Sequence, residues 1–170
     1  AGQIAKIKGC RAIGVAGSDE KCRYVVETLG FDACINRRTE NIGDALAKHC
    51  PDGIDVYYDN TGGPILHAVM RQLRLRARIA IVGMIDQYNA LTAPPGPNLR
   101  PMLVNRATMQ GFLVGDHQDH AAAFDRDVAA WLREGKIRYR EDLVEGLENA
   151  PRALIGMLRG ENFGKLIVKV

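Results

Sequence analysis

Runs of valine, isoleucine and alanine alternate along the chain with stretches whose apolar residues recur at helical spacing. This is the βαβ rhythm of a parallel sheet with helices packed on it, so the fold class is α/β, doubly wound. Residues 1–9 read as the last turns of a helix stopped by Gly9. A buried strand over 11–16 comes next, then a helix from 19 to about 29, capped by Ser18 and ended by Gly30. The rhythm continues with a strand over 33–36, a helix over 42–49, and a strand over 55–59 that stops at Asn60-Thr61-Gly62-Gly63. A helix from 65 to about 73 and a strand over 78–82 precede the turn at Gly83. Residues 93–97, Ala-Pro-Pro-Gly-Pro, read as a loop, because proline fixes φ and lacks the donor a regular element needs. Beyond it lie a short helix over 99–105, a strand over 108–114 and an amphipathic helix over 121–134 with Phe124, Val128 and Leu132 on one face. Gly135-Lys136 punctuates the chain and divides residues 1–134 from a closing segment, 135–170, with a helix over 150–159 and a last strand over 166–170.

A chain of 170 residues suits one ordinary domain, or one domain and an appendage. With 46% apolar and 25% charged residues it can bury a core, which excludes a disordered, collagen-like or coiled-coil chain. Apolar runs such as 78–84 fall far short of the roughly 20 residues a membrane span needs, and no signal-peptide core is visible, so neither a membrane nor the secretory route is expected. The net charge of +3, from 23 basic and 20 acidic residues, is too balanced to call for nucleic acid. The densest basic stretch, Arg71, Arg74, Arg76 and Arg78, has no interleaved aromatics and reads as a solvated helix end and turn. Cys10, Cys22, Cys34 and Cys50 form no CxxC pair, which fits reduced thiols in a cytoplasmic setting better than a disulfide framework or a zinc site.

In a doubly wound sheet, ligands sit beyond the carboxyl ends of the strands, so the residues just after each strand carry the chemistry. After the first strand stands Gly17-Ser18-Asp19-Glu20-Lys21, where an NAD site would place an acidic residue on the ribose 2′-hydroxyl. A small residue, a hydroxyl and a lysine suit a 2′-phosphate instead, held by helix N-terminal amides, Ser18 and Lys21; an ordinary N-cap with an exposed lysine is the other reading. The Asp59-Asn60-Thr61-Gly62-Gly63 turn lets backbone approach a ligand, with Asn60 able to donate and accept, or is a plain strand-to-helix turn. After the 78–82 strand, Tyr88 offers a phenol that stays protonated at neutral pH, or is a loop aromatic. Asp116-His117-Gln118-Asp119-His120 has metal-ligating residue types but no third cluster, and reads as a solvated helix start. No GxSxG, HExxH or nucleophilic Cys-His pattern supports hydrolysis.

The runs GQIAKIKGC, GSDEK, LGFD, DNTGG, ARIAIVG, IDQY, PPGP, WLREGKI and GMLRGENFGKLIVKV occur in order along nearly the whole chain. Together they resemble the zinc-free, NADPH-dependent prostaglandin and alkenal reductases of the medium-chain dehydrogenase/reductase superfamily. The resemblance implies an NADP(H)-dependent oxidoreductase that transfers hydride to the carbon–carbon double bond of α,β-unsaturated aldehydes or ketones, works without metal and pairs as a homodimer. Residue by residue, it implies that Lys21, with Ser18, meets the 2′-phosphate and that Asn60 meets the cofactor. Val82, Gly83, Met84, Ile85 and Tyr88 would wrap the nicotinamide side, and Phe112, Leu113, Val114 and Asn162 would touch the cofactor. Tyr88 is the expected catalytic residue. The family usually has a tyrosine where Arg37 stands, so a contact of Arg37 with the 2′-phosphate is open.

The resemblance also implies that residues 1–134 are a Rossmann domain lacking its first strand and glycine-rich loop, and that 135–170 return to an N-terminal catalytic domain. In a 3-2-1-4-5-6 sheet the lacking strand is central, so its two neighbours would be left unpaired, and the chain alone is expected to bind NADPH weakly and reduce no enal. Three rival readings are a quinone reductase of the same superfamily, a methyltransferase, and a non-catalytic module whose 78–82 and 108–114 strands make oligomer contacts. The methyltransferase reading lacks the acid that should follow the second strand of that fold, a place that Gly17-Ser18 occupies here.

Overall fold

The computed structural model describes every residue except Ala93; the 93–97 loop is seen from Pro94 on, without regular structure, and Ala93 lies outside the described residues. The elements follow in the order α1 (Gly2–Ile7), β1 (Ile13–Ala16), α2 (Asp19–Glu27), β2 (Ala33–Asn36), α3 (Ile42–His49), β3 (Ile54–Asp59), α4 (Gly63–Met70) and β4 (Leu73–Ile81). Then come α5 (Arg100–Asn105), β5 (Thr108–Gly111), α6 (Ala121–Arg133), β6 (Glu141–Glu145), α7 (Ala150–Arg159) and β7 (Lys165–Lys169). The strand pairs are parallel and form three ladders, β1–β2, β3–β4–β5 and β6–β7. The α/β reading with parallel strands therefore holds.

The chain divides into two compact units, one made of Arg37–Asp125 with Ala1, the other of Gly2–Asn36 with Arg126–Val170. In the first unit β4 is central, and Leu73, Ala77 and Ile79 of that strand are buried together with Ile65, Leu66, Ala68, Val69 and Met70 of α4 and Ala45 and Leu46 of α3. Each large apolar side chain removed from water in this way contributes about 1.5–3 kcal/mol. The helix α4 starts two residues earlier than its apolar pattern suggests, because Pro64 fits the first turn, where its missing N–H costs nothing.

The strand β4 begins at Leu73 rather than at residue 78, so Arg74, Arg76 and Arg78 lie in a strand, and the helix-end-and-turn reading holds only for Arg71, which caps α4. The run Leu73-Arg74-Leu75-Arg76-Ala77-Arg78-Ile79 has the period of two that a half-buried strand requires. The alternation includes an irregularity. Between the Ile54–Leu73 and Val56–Arg78 partners β4 passes more residues than β3, a bulge at which Arg76 takes φ 62. The strand β5 stops at Gly111 rather than at residue 114, since a 3-10 turn starts at Val114.

The second unit holds the β1–β2 ladder, in register from Ile13–Ala33 to Ala16–Asn36, and the β6–β7 ladder. The helix α1 ends at Gly9 as expected, with Gly9 N–H donating to the Lys6 carbonyl (3.0 Å) and Cys10 N–H to the Ala5 carbonyl (2.9 Å). Gln3 clasps the Arg138 backbone in both directions, donating to its carbonyl at 2.9 Å and accepting from its N–H at 2.8 Å. Asp32 accepts from Lys6 Nζ (2.8 Å) and from Ala12 N–H (2.7 Å), which joins α1 to the start of β1.

Candidate functional site

In the second unit the site begins at α2. Ser18 is the N-cap, with extended backbone, and its hydroxyl accepts from Lys21 N–H at 3.2 Å, satisfying one of the donors a helix start leaves open. The ammonium of Lys21 donates to the Gly160 carbonyl at 2.6 Å. Gly160 sits in the left-handed region (φ 75) that ends α7, a conformation glycine adopts without strain, and this turns the carbonyl-bearing loop and the following Asn162 away from the helix. An ammonium has three donors, so this bond leaves two for an anion. Asn36, 5% exposed at the end of β2, donates to Asp19 Oδ1 at 2.6 Å, which engages the carboxylate next to the cap. Asn162 donates to the Gly164 carbonyl at 2.8 Å. The structure thus brings Ser18 and Lys21 to the loop that carries Asn162; Arg37 follows β2 as an exposed turn residue.

In the first unit the turns after β3 and β4 are laced by backbone hydrogen bonds. Val82 and Gly83 N–H donate to the Asp59 carbonyl (2.8 and 3.1 Å), Ile85 N–H to the Asn60 carbonyl (3.2 Å) and Asp86 N–H to the Thr61 carbonyl (3.1 Å). Gly62 has φ 71 and ψ −151, a conformation side chains disfavour, while the Met84 and Gln87 side chains stand only at ordinary contact distance from the place a Cβ would take. A Cβ on Gly83 would stand 3.2 Å from the Asn60 carbonyl oxygen and 3.5 Å from Tyr88 Oη. Tyr88 folds back so that its Oη accepts from Met84 N–H at 3.4 Å, and with 65% exposure its own O–H proton remains available to donate. Phe112 continues β5 by one bond, donating N–H to the Ile81 carbonyl (2.9 Å), and its ring stacks on His117 at 4.7 Å. Leu113 and Val114 are exposed.

Beneath the first of these turns lies a residue the expected set did not include. Asp59 is fully buried, and its Oδ1 accepts from Thr61 N–H (2.8 Å), Gly62 N–H (2.8 Å) and the Tyr57 hydroxyl (2.9 Å), while Oδ2 has no hydrogen-bond partner among the described residues. Burial, then the Asp59 carboxylate beside it, pushes the Tyr57 phenol far above its usual range, so it stays a donor. The signal for Asp59 is the spacing itself, an aspartate followed by backbone donors two and three residues on, the pattern of an Asx turn. His120 and Asp119 face solvent at 3.5 Å from each other, and among the described residues no three His, Cys, Asp or Glu are grouped to hold a metal ion.

Comparison with known proteins gives these features a family. The profile of the family described as zinc-binding dehydrogenase matches residues 1–129. The NADPH-dependent curcumin reductase of Escherichia coli is 46% identical over 99% of this chain and 51% of its own length. Prostaglandin reductase 1 of rat is 45% identical over 99% of this chain and 52% of its own length. The crystal structure of CurA from Vibrio vulnificus in complex with NADPH superimposes with a TM-score of 0.94 at 48% identity, over 99% of this chain and 52% of that one. The chain spans about half the length of the curated relatives it matches. It corresponds to the Rossmann-like half of such proteins, and it belongs to the zinc-binding dehydrogenase family.

Proposed function

We propose that this chain is the NADP(H)-binding part of an enone and enal reductase. The observation that carries the reading is local. Where an acid would select NAD, the chain has Gly17-Ser18, with Lys21 three residues into the site and anchored at Gly160, in a sequence 48% identical to an NADPH-bound relative. Ser18, the first amides of α2 and the two remaining donors of Lys21 fit a 2′-phosphate; Arg37, exposed after β2, adds positive charge near the end of that strand. Asn60 and the laced turn 82–88 present polar atoms and close-approach glycines for the nicotinamide side, and Phe112, Leu113, Val114 and Asn162 complete the proposed contacts. Residues 1–134 then form the cofactor domain and 135–170 the return to a catalytic domain, a division supported by the family match ending at residue 129.

Bound NADPH supplies a hydride for the β-carbon of the unsaturated carbonyl compound. What the protein must supply is stabilisation of the negative charge that then builds on the carbonyl oxygen. Tyr88 suits that task because Met84 N–H occupies an acceptor position of its oxygen and leaves the phenolic proton to donate. The laced turn fixes the backbone from which the ring projects.

The test is an acceptor assay on the full-length protein. NADPH oxidation should track loss of a 2-alkenal or an enone, with a simple quinone reduced much more slowly; the reverse order assigns the protein to the quinone reductases. The same preparation should sediment as a homodimer. In the first unit β4 is paired on both sides and offers no edge for the oligomer contact that the non-catalytic reading gives to residues 78–82, while β5 is an edge strand among the described residues. Sedimentation at the monomer mass would contradict the pairing.

A further inference from the structure

Two cysteines that the cofactor reading does not use lie together in the second unit. Cys22 is the fourth residue of α2, one position beyond Lys21, and Cys34 is the second residue of β2. The Cys34 thiol donates to the Cys22 sulfur at 3.0 Å, about 1 Å beyond the roughly 2.0 Å of a disulfide bond. Both are partly buried, and neither is in a disulfide. The pairing depends on the neighbouring strand. Gly14 of β1 is the register partner of Cys34, and a Cβ built there would stand 3.4 Å from the Cys34 sulfur and 2.9 Å from Val25 of α2. Glycine at position 14 therefore leaves the space in which the sulfur meets the helix. By contrast Cys10 is exposed, and among the described residues no sulfur partner is seen for it.

We propose that Cys22 and Cys34 are a redox modification site, a dithiol that closes reversibly to an intramolecular disulfide. Hydrogen peroxide oxidises one thiol to a sulfenic acid and leaves as water. The second sulfur then attacks the first, the S–S bond forms, and the hydroxyl departs with the second thiol's proton as another water. Two electrons pass from the pair to the peroxide, and a dithiol reductant returns them by exchange. The bond ties α2 to β2 at the helix turn that carries Ser18 and Lys21. The proposal rests on the sulfur geometry and not on the cofactor reading, so either can fail without the other.

The experiment uses the full-length protein, treated with hydrogen peroxide, alkylated and digested with trypsin. Cleavage after Lys21, Arg23 and Arg37 releases Cys22-Arg23 and the peptide 24–37. The expected product is these two joined by a disulfide, lost on treatment with dithiothreitol and absent from the Cys34→Ser and Cys22→Ser proteins. Exposed Cys10 reports in the same digest that peroxide reached the protein. Recovery of Cys22 and Cys34 as separate alkylated peptides while Cys10 is oxidised would overturn the proposal, as would Cys22 joined to Cys10 or Cys50 in place of Cys34.

Discussion

Asp59 and Tyr88 divide the work of the two laced turns. Asp59 fixes the backbone from beneath, with three donors on one oxygen, and Tyr88 presents a proton above it. Replacing Asp59 by alanine leaves the Thr61 and Gly62 amides and the Tyr57 hydroxyl without their acceptor. The expected loss is about 3 kcal/mol of stability in urea unfolding, because each buried donor left unpaired costs about 1–3 kcal/mol. Asp59→Asn keeps an acceptor and places its amide nitrogen at the unpartnered Oδ2 position, so it should recover most of that loss; equal destabilisation by both variants would show that the turn does not depend on this oxygen. Tyr88→Phe should behave differently. Among the described residues its hydroxyl makes one hydrogen bond, a long one, so stability and the KM for NADPH should hardly change, while kcat for an enal falls about 100-fold, the usual cost of removing one donor to a developing oxyanion. Unchanged kcat would remove Tyr88 from the reaction.

At the scale of elements, what was legible in the sequence was what depends on local chemistry. Ser18 announces the start of α2, Gly9 the end of α1, and the Asn60–Gly63 turn the end of β3, because caps and glycine turns are decided by neighbours in the chain. The start of β4 was hidden by its arginines, whose charge suggested a solvated turn although their alternation with Leu73, Leu75, Ala77 and Ile79 is that of a strand. The apolar Phe112-Leu113-Val114 looked like more strand than it is, since only Phe112 finds a ladder partner. In the candidate site, Lys21 and Asn60 could be named from position, but the Gly160 anchor of Lys21 lies far along the chain and no local pattern links the two. One element contact carries a pH dependence. The Lys6 ammonium, then the Ala12 N–H, hold Asp32 below the carboxylate value of 3.8. A lowered folded pKa means that this contribution is fully present above about pH 4 and is lost as pH falls through the folded value. The stability difference between the native protein and Asp32→Asn should therefore be constant near neutrality and shrink below pH 4; a difference that grew with acid would reverse the assignment.

At the scale of the whole molecule, the chain covers half the length of its relatives, and its parallel strands form ladders that no strand joins among the described residues. On the proposed reading its contribution to a reductase is the choice and seating of the cofactor, with Lys21 as the residue that decides the choice. The most direct measurement is kcat/KM of the full-length protein for NADPH and for NADH, with and without Lys21→Glu. The native protein should strongly prefer NADPH. The variant should lose about 30- to 100-fold with NADPH, roughly 2–3 kcal/mol for a charge-assisted contact, and change little with NADH. Equal losses with the two cofactors, or none with either, would contradict the assignment of this helix start to the 2′-phosphate.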